Sequence, residues 1–441
     1  MIRRLAIAML ASAPLAAGAE NLLQVYQDAR GYDAQLAAAR QAALAGQERI
    51  AQGRALLLPS LNLTANAARS NLESDSKNAT VQPSYERTVD TYGYALTFTQ
   101  PIYRRQNWLQ ADQGELQAKQ AELQYDQAHQ DLILRAAQAY FDVLAAQDTL
   151  ALVRAQKAAI AEQLAQAKRN FEVGTATITD THEAQARYDL SASQEISAEN
   201  EVEGRSRQLQ LITGKEYPQL KPLRSDVKVS GPEPKDMQSW VGMAEKQNYA
   251  VLIQEAAVEI ARLETKRNAA GHHPTLDLVA SHNYTSQTGS QLSGIGSYLT
   301  NDSVSLQFAL PLYQGGGISS REREAAYNME RTRQELENAR RTATLVTRQA
   351  YLLVINGISQ VGALEQALVS SESALQSNRL GYEVGVRINI DVLNAQQQVF
   401  STRRDLALAR YNTITSQLRL KAAAGSLREE DIEVVNRALL P

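Results

Sequence analysis

The chain has 441 residues, with 45 Lys or Arg against 48 Asp or Glu, a formal charge of −3. A balance so close to neutral gives no electrostatic basis for nucleic acid as a partner. There is no cysteine, which excludes disulfides, thiol chemistry and a lipid-modified N-terminal Cys.

At the N-terminus Arg3 and Arg4 precede an apolar run over residues 5–15, and small residues follow, ending Ala17, Gly18, Ala19. This pattern predicts a secretory signal peptide over residues 1–19 and a mature chain that starts at Glu20. The apolar run is too short to span a bilayer, and no other stretch approaches 18 apolar residues, so no transmembrane helix is expected. If the exported chain spans a membrane, it must do so with strands.

The rest of the chain reads as one plan written twice. QAY at residues 138–140 recurs at 349–351, and Gly214 matches Gly425, both 211 positions on. PSLNL from Pro59 matches PTLDL from Pro274, and FTQPIY from Phe98 matches FALPLY from Phe308. The predicted organisation is a first repeat over residues 20–218, a Pro-rich linker over 219–239, a second repeat over 240–425 and a C-terminal segment over 426–441.

Within each repeat, short segments of alternating polarity come first. Residues 61–66, 92–99, 276–280 and 304–310 predict four strands with one apolar and one polar face. Pro59, Pro101, Pro274 and Pro311 are expected where strand meets helix, and polar loops over residues 73–90 and 286–302 join the strands in pairs. A soluble sandwich is the plain alternative, but four strands are few for one. Outward apolar, inward polar strands with Tyr85, Tyr92, Tyr94, Tyr103, Tyr298 and Tyr313 near the rims fit a transmembrane barrel better. Four strands cannot close a barrel, and unpaired edges do not occur in lipid, so at least two chains must pool their strands.

Long helices follow. Residues 102–217 and 312–440 hold no proline and are rich in Ala, Leu, Gln, Glu and Arg. Heptads through Val354, Val361, Leu368, Leu375 and Tyr382, then Leu393, Phe400, Ala407 and Ile414, predict coiled-coil packing. Residues 314–382 alone make roughly 100 Å of helix. Each long helix is then broken by a near-identical stretch, FEVGTATITD at residues 171–180 and YEVGVRINID at 382–391. The glycine of each supplies a left-handed C-cap, and Asp180 and Asp391 fall where a helix restarts, so the two stretches are the turns of two helical hairpins. Arg387 is a multi-donor cation able to bridge a carboxylate on another helix.

Enzyme signatures fail. Gly214-Lys215 continues with Glu216 rather than Ser or Thr, and His182-Glu183 leads to Ala186 rather than a second His. His272-His273 reads as a surface turn before Pro274, and Gly315, Gly316 and Gly317 relieve a sharp strand-to-helix joint. No catalytic residue, metal site or cofactor is expected.

ENLLQVYQDAR at the mature start, PSLNL, PTLDL, FALPLYQGG, QAYFDVL, QLQLITG with YPQL, and YEVGVRINIDVLNAQ together resemble the TolC outer-membrane efflux channel family over essentially the whole mature length. The resemblance implies an α+β membrane protein of a Gram-negative outer membrane. It would be a homotrimer whose four strands per chain form one 12-stranded transmembrane β-barrel, continued by an α-helical coiled-coil tunnel into the periplasm. The linker and C-terminal segment would form an equatorial belt. The implied function is a passive exit duct for multidrug efflux or type I protein secretion. An inner-membrane transporter of the RND, MFS or ABC type would supply the energy, and a periplasmic adaptor (membrane fusion) protein would dock on the tips at Val173, Gly174, Thr175 and Val384, Gly385, Val386.

The resemblance also implies a closed tip. Thr179 and Asp180 match the partners onto which Tyr382 and Arg387 latch, and Asp391 matches the first acid of a constricting ring. Asn394 stands where the ring has its second acid, and Arg379 stands where the family has an acid that meets Gln163. Three Asp391 carboxylates in a trimer would bind a multivalent cation, and Asn394→Asp is expected to strengthen that binding. Two other classes fit the sequence less well. A periplasmic coiled-coil adaptor would have one hairpin and no lipid-facing strands, and a trimeric surface adhesin would carry its strands at one terminus only.

Overall fold

The computed structural model describes residues 19–75, 85–175, 177–224, 227, 230–289 and 295–440. The expected signal peptide lies outside them except for Ala19. Asn21 opens helix α1 (Leu22–Tyr32) with a capping box, its side chain accepting from the Gln24 amide while Gln24 reaches back. Asp33 caps α2 (Ala34–Ala55) from one side only, accepting from Leu36 N at 2.7 Å. There follow β1 (Ser60–Ser74), β2 (Tyr85–Arg104), α3 (Arg105–Glu172), α4 (Ile178–Thr213), α5 (Met237–Gln247) and α6 (Tyr249–Ala269). A short 3-10 turn (Ala270–His272) leads to β3 (Thr275–Gln287) and β4 (Ser297–Ala309). The chain ends with α7 (Gly317–Glu383), α8 (Asn389–Ala423) and α9 (Glu429–Asn436).

The elements fall into two compact units. One comprises residues 39–125 and 249–341 and holds the sheet. Its strands pair antiparallel in the order β1-β2-β3-β4, so β1 and β4 are open edges. The register sorts the side chains by polarity. Leu61, Phe98, Ala280 and Val304 stand in one row, and Leu63, Leu96, His282 and Asp302 in the next row on the same face. The intervening row, which points to the other face, is Asn62, Thr97, Ser281 and Ser303. Toward one end this face turns polar: His282 Nδ1 lies 2.5 Å from Asp302 Oδ1 beside the stacked Tyr94 and Tyr284, and further along the same face Arg69 pairs with Asp90 at 2.6 Å.

The strands are longer than the alternation predicts, and Pro101 lies inside β2 rather than at its end. The reason is visible in the ladder: β1 pairing stops at Thr99, so beyond it one side of β2 has no strand to receive an N–H, and the register shifts between Pro101 and Tyr103. Pro59 and Pro274 do precede strands, and Pro311 follows one.

The second unit comprises, among the described residues, those within 19–38, 126–248 and 342–440. Its core gathers Tyr26, Leu132, Ile133, Tyr140, Phe141, Leu144, Leu420 and Ile432, all essentially inaccessible. Tyr140 OH donates to the carbonyls of Lys221 at 2.7 Å and Glu20 at 3.3 Å. The linker pairs as isolated bridges with both chain ends, Glu20 with Leu220 and Leu223 with Leu439. Gly214 and Gly425 both take positive φ, 72° and 74°, and a Cβ on Gly425 would strike the Gln247 carbonyl.

Of the expected heptad of α7, Val354 and Val361 are buried and Leu368, Leu375 and Tyr382 half-buried; nearer the N-terminus of the helix Ile318, Ala325, Thr332, Ala343 and Ala350 are buried as well. In α8 the expected Leu393 and Ile414 are buried and Phe400 and Ala407 half-buried, and the adjacent line of Val392, Val399, Leu406 and Thr413 is buried throughout. A further difference concerns membrane crossing. α7 contains an 18-residue window of mean hydropathy 1.4, enough by length and composition to span a bilayer, although no such helix was expected. Ala350 and Val354 of α7 pack on Trp240, Leu420 and Ala424, whereas Leu345, Val346, Leu352 and Leu353 are exposed.

Candidate functional site at the helical tips

Both long helices end in the same hydrogen-bonded turn. After α3, Gly174 N donates to Phe171 O at 3.0 Å and Thr175 N to Asn170 O at 2.8 Å. After α7, Gly385 N donates to Tyr382 O at 3.1 Å and Val386 N to Gly381 O at 2.8 Å. Each is a Schellman motif, and both glycines sit at φ 78°, where a residue with a Cβ is strained. Val173, Thr175, Val384 and Val386 are exposed around them. A Cβ on either glycine would meet nothing within 4 Å, so the tips present open, small-residue surfaces.

The helices that follow start differently. Thr177 caps α4 by accepting from Asp180 N at 3.2 Å, and Asp180 Oδ2 accepts in return from Thr177 N at 2.9 Å and Thr177 Oγ1 at 2.8 Å. Asp180 is thus committed to a capping box, with Thr179 exposed beside it. In α8 the N-cap is Ile388, which has no side chain to offer, and Asp391 stands half-buried in the first turn without a capping role. Its partner is Arg387, whose Nη1 lies 3.6 Å from Asp391 Oδ2. Tyr382 OH accepts from Asn170 Nδ2 at 3.4 Å, which ties α7 to α3.

Among the described residues of this one chain, no hydrogen bond or ion pair joins Thr179 or Asp180 to Tyr382 or Arg387. Gln163, whose expected acidic partner is replaced by Arg379, instead donates to Gln396 Oε1 at 2.6 Å. Asn394 is not idle: it accepts from Arg187 Nη2 at 2.9 Å, while Arg187 Nη1 donates to Gln397 Oε1 at 2.6 Å. Neither Asn170 nor Arg187 was singled out from the sequence. Arg187 lies seven residues beyond Asp180, one heptad along the same helix face. A cation there, opposite an Asn in place of an acid, is the signal that could have found it.

A family model described as outer membrane efflux protein matches residues 25–215 and 240–426. The chain is 36% identical to outer membrane protein TolC of Escherichia coli over 433 residues, 96% of this chain and 85% of that protein. It is 33% identical to proteases secretion protein PrtF of Dickeya chrysanthemi over 437 residues, 98% of this chain and 94% of that one. Among solved structures, the CmeC outer membrane channel of Campylobacter jejuni superimposes with a TM-score of 0.79, covering 96% of this chain and 90% of that chain. At 16% identity that likeness speaks to the fold.

Proposed function

Since the chain belongs to the outer membrane efflux protein family, we propose that it serves a Gram-negative cell as a trimeric outer-membrane exit duct, passive in itself and opened at its helical tips by partners. It is an outer-membrane channel rather than an enzyme. The observation that carries an oligomer is the open sheet, and three is the number that the family resemblance implies. Four strands with one apolar face and two unpaired edges cannot stand in lipid alone, and three copies would supply twelve strands with every edge paired. The exposed Leu345, Val346, Leu352 and Leu353 of α7 would be covered in such an assembly. On this reading the two halves of the chain are repeats, each giving two strands and one helical hairpin to the ring.

The relatives named for efflux and for protease secretion support both exports through one duct, with an inner-membrane transporter and a periplasmic adaptor as partners. Val173, Gly174, Thr175 and Val384, Gly385, Val386 would receive the adaptor's helical tips. Thr179 and Asp180 would take Tyr382 and Arg387 of a neighbouring chain, since no hydrogen bond or ion pair joins these two pairs among the described residues of one chain. Asp391 would recur three times around the axis as the constriction.

The test is a deletion strain complemented with the intact gene, grown against a panel of antibiotics and detergents, with its culture medium analysed for secreted proteins. Loss of resistance, of secretion or of both on deletion, restored by the gene, is expected. A deletion strain unchanged in resistance and secreted proteins alike would overturn the proposal.

A further inference from the structure

Resting on the reading of the tips as the closed mouth of a duct, we propose that Arg187 is a positioning residue, a clamp that holds the α7/α8 hairpin shut against α4. Each hairpin is tied internally by ion pairs. Arg154 and Lys157 of α3 reach Glu195 and Glu199 of α4, and Arg403 and Arg410 of α8 reach Glu372 and Glu365 of α7. Apolar packing adds to the first pair, where Ala184 and Tyr188 of α4 meet Leu164 and Ala167 of α3. The links between the two hairpins near the tip are of another kind. They are Asn170 with Tyr382, Gln163 with Gln396, and Arg187 with Asn394 and Gln397.

Of these three, the Arg187 bridge alone carries a charge and two bonds, and it alone starts from α4. Its acceptors stand three residues apart on one face of α8, a spacing that the two Nη groups of a planar guanidinium can meet together. Charge-assisted bonds are the stronger kind, and a neutral acceptor pair keeps them from depending on the ionisation of an acid. The clamp also fixes the electrostatics of the constriction. Asn394 lies one turn beyond Asp391, so an acid placed there would add its charge next to the Arg187 guanidinium and be neutralised by it. Asn394→Asp on its own therefore builds a tighter clamp, not a second ring of free carboxylates, which revises the expectation drawn from the sequence.

Purified full-length protein in planar bilayers separates these outcomes. Variants are Arg187→Gln, Arg187→Lys, Asn394→Asp and the Arg187→Gln/Asn394→Asp pair, each first shown to recover the same oligomer as the unsubstituted protein. Removing the clamp in Arg187→Gln is expected to raise single-channel conductance about twofold, with Arg187→Lys in between because an ammonium cannot fork to both acceptors. Block by a trivalent ammine complex is expected to tighten less than about twofold in Asn394→Asp, but about tenfold when the same change is made in Arg187→Gln, a coupling that only contact between the two residues explains. The clamp is overturned if Arg187→Gln leaves conductance unchanged and Asn394→Asp tightens block equally in both backgrounds. Failure of the unsubstituted protein to form channels at all would instead bring down the duct reading itself.

Discussion

Asp33 does two jobs at one carboxylate. It caps α2 through Leu36 N and takes both Nη groups of Arg135, at 2.8 and 3.0 Å, while almost fully buried. The Arg135 guanidinium holds its carboxyl below the ordinary value of 3.8, against the opposing pull of burial. A depressed folded value means that the contribution is fully present above the unfolded value and lost as pH falls through the folded one. Asp33→Asn should therefore lower stability by about 2 kcal/mol at neutral pH, since Arg135 keeps its second partner Asp131. Thermal melts of the two proteins should converge in acid, and melting curves that stay equally far apart down to about pH 3 would contradict this. The tip residues are weaker by design of their setting. Arg387 is exposed and 3.6 Å from Asp391, and the Tyr382 contact with Asn170 is 3.4 Å long, so each contributes under about 1 kcal/mol. Contacts this weak within one chain would leave Tyr382 and Arg387 able to exchange them for Thr179 and Asp180, as the proposed latch requires. Tyr382→Phe combined with Arg387→Ser should raise conductance in planar bilayers and sensitise cells to large antibiotics, and an unchanged conductance would count against the latch.

The hairpin turns were legible as elements because glycine chemistry is local. Val-Gly followed by β-branched residues and an acid dictates a left-handed cap and a restart, and Gly174 and Gly385 adopt it with the same φ of 78°. What the side chains then do was not legible. Asp180 turns back to Thr177 while Asp391 faces Arg387, because Thr177 and Ile388 differ in whether the N-cap can offer a hydroxyl. Arg187 meets Asn394, 207 positions away, through tertiary packing that no local pattern announces. The fuller burial of the Val392, Val399 and Leu406 line of α8 than of the Leu393, Phe400 and Ile414 line has a like cause, since which of two adjacent apolar lines is more buried depends on the helices it packs against. The open space around the tip glycines allows cap strain and docking to be separated. Gly385→Asn tolerates the left-handed region and adds a side chain to the docking face, whereas Gly385→Val adds both bulk and about 1–2 kcal/mol of backbone strain. If the tips dock an adaptor, Asn should impair efflux nearly as much as Val while leaving the melting temperature unchanged. An Asn variant with full efflux would place docking elsewhere.

At the scale of the whole molecule, the sheet decides what the chain can be. Its register puts Leu61, Leu63, Leu96, Phe98, Val304, Leu306 and Phe308 on one face and Asn62, Thr64, Thr97, Ser303 and Ser305 on the other. Rows on one face are about 6.6 Å apart along the strand, so the rows from Leu276 to His282 span about 20 Å, close to the apolar band of an outer-membrane barrel. The His282–Asp302 pair and then Tyr94 with Tyr284 stand at one end of this band, where a strand leaving hydrocarbon for headgroups can satisfy polar groups. Two substitutions next to each other on the β4 edge then have opposite expected outcomes. Leu306→Arg puts a charge on the apolar face inside the band and should cost about 2–4 kcal/mol per chain, enough across three chains to abolish recovery from the outer membrane. Ser305→Arg puts the same charge on the polar face, where it would line the water-filled lumen; it should be tolerated and should narrow the conductance. Both proteins would be fractionated, and the unsubstituted protein weighed in mild detergent, where three copies of a chain starting at Glu20 are expected. Equal recovery of the two variants, or a monodisperse monomer, would mean that the sheet's two faces do not divide lipid from lumen, and the barrel would have to be abandoned.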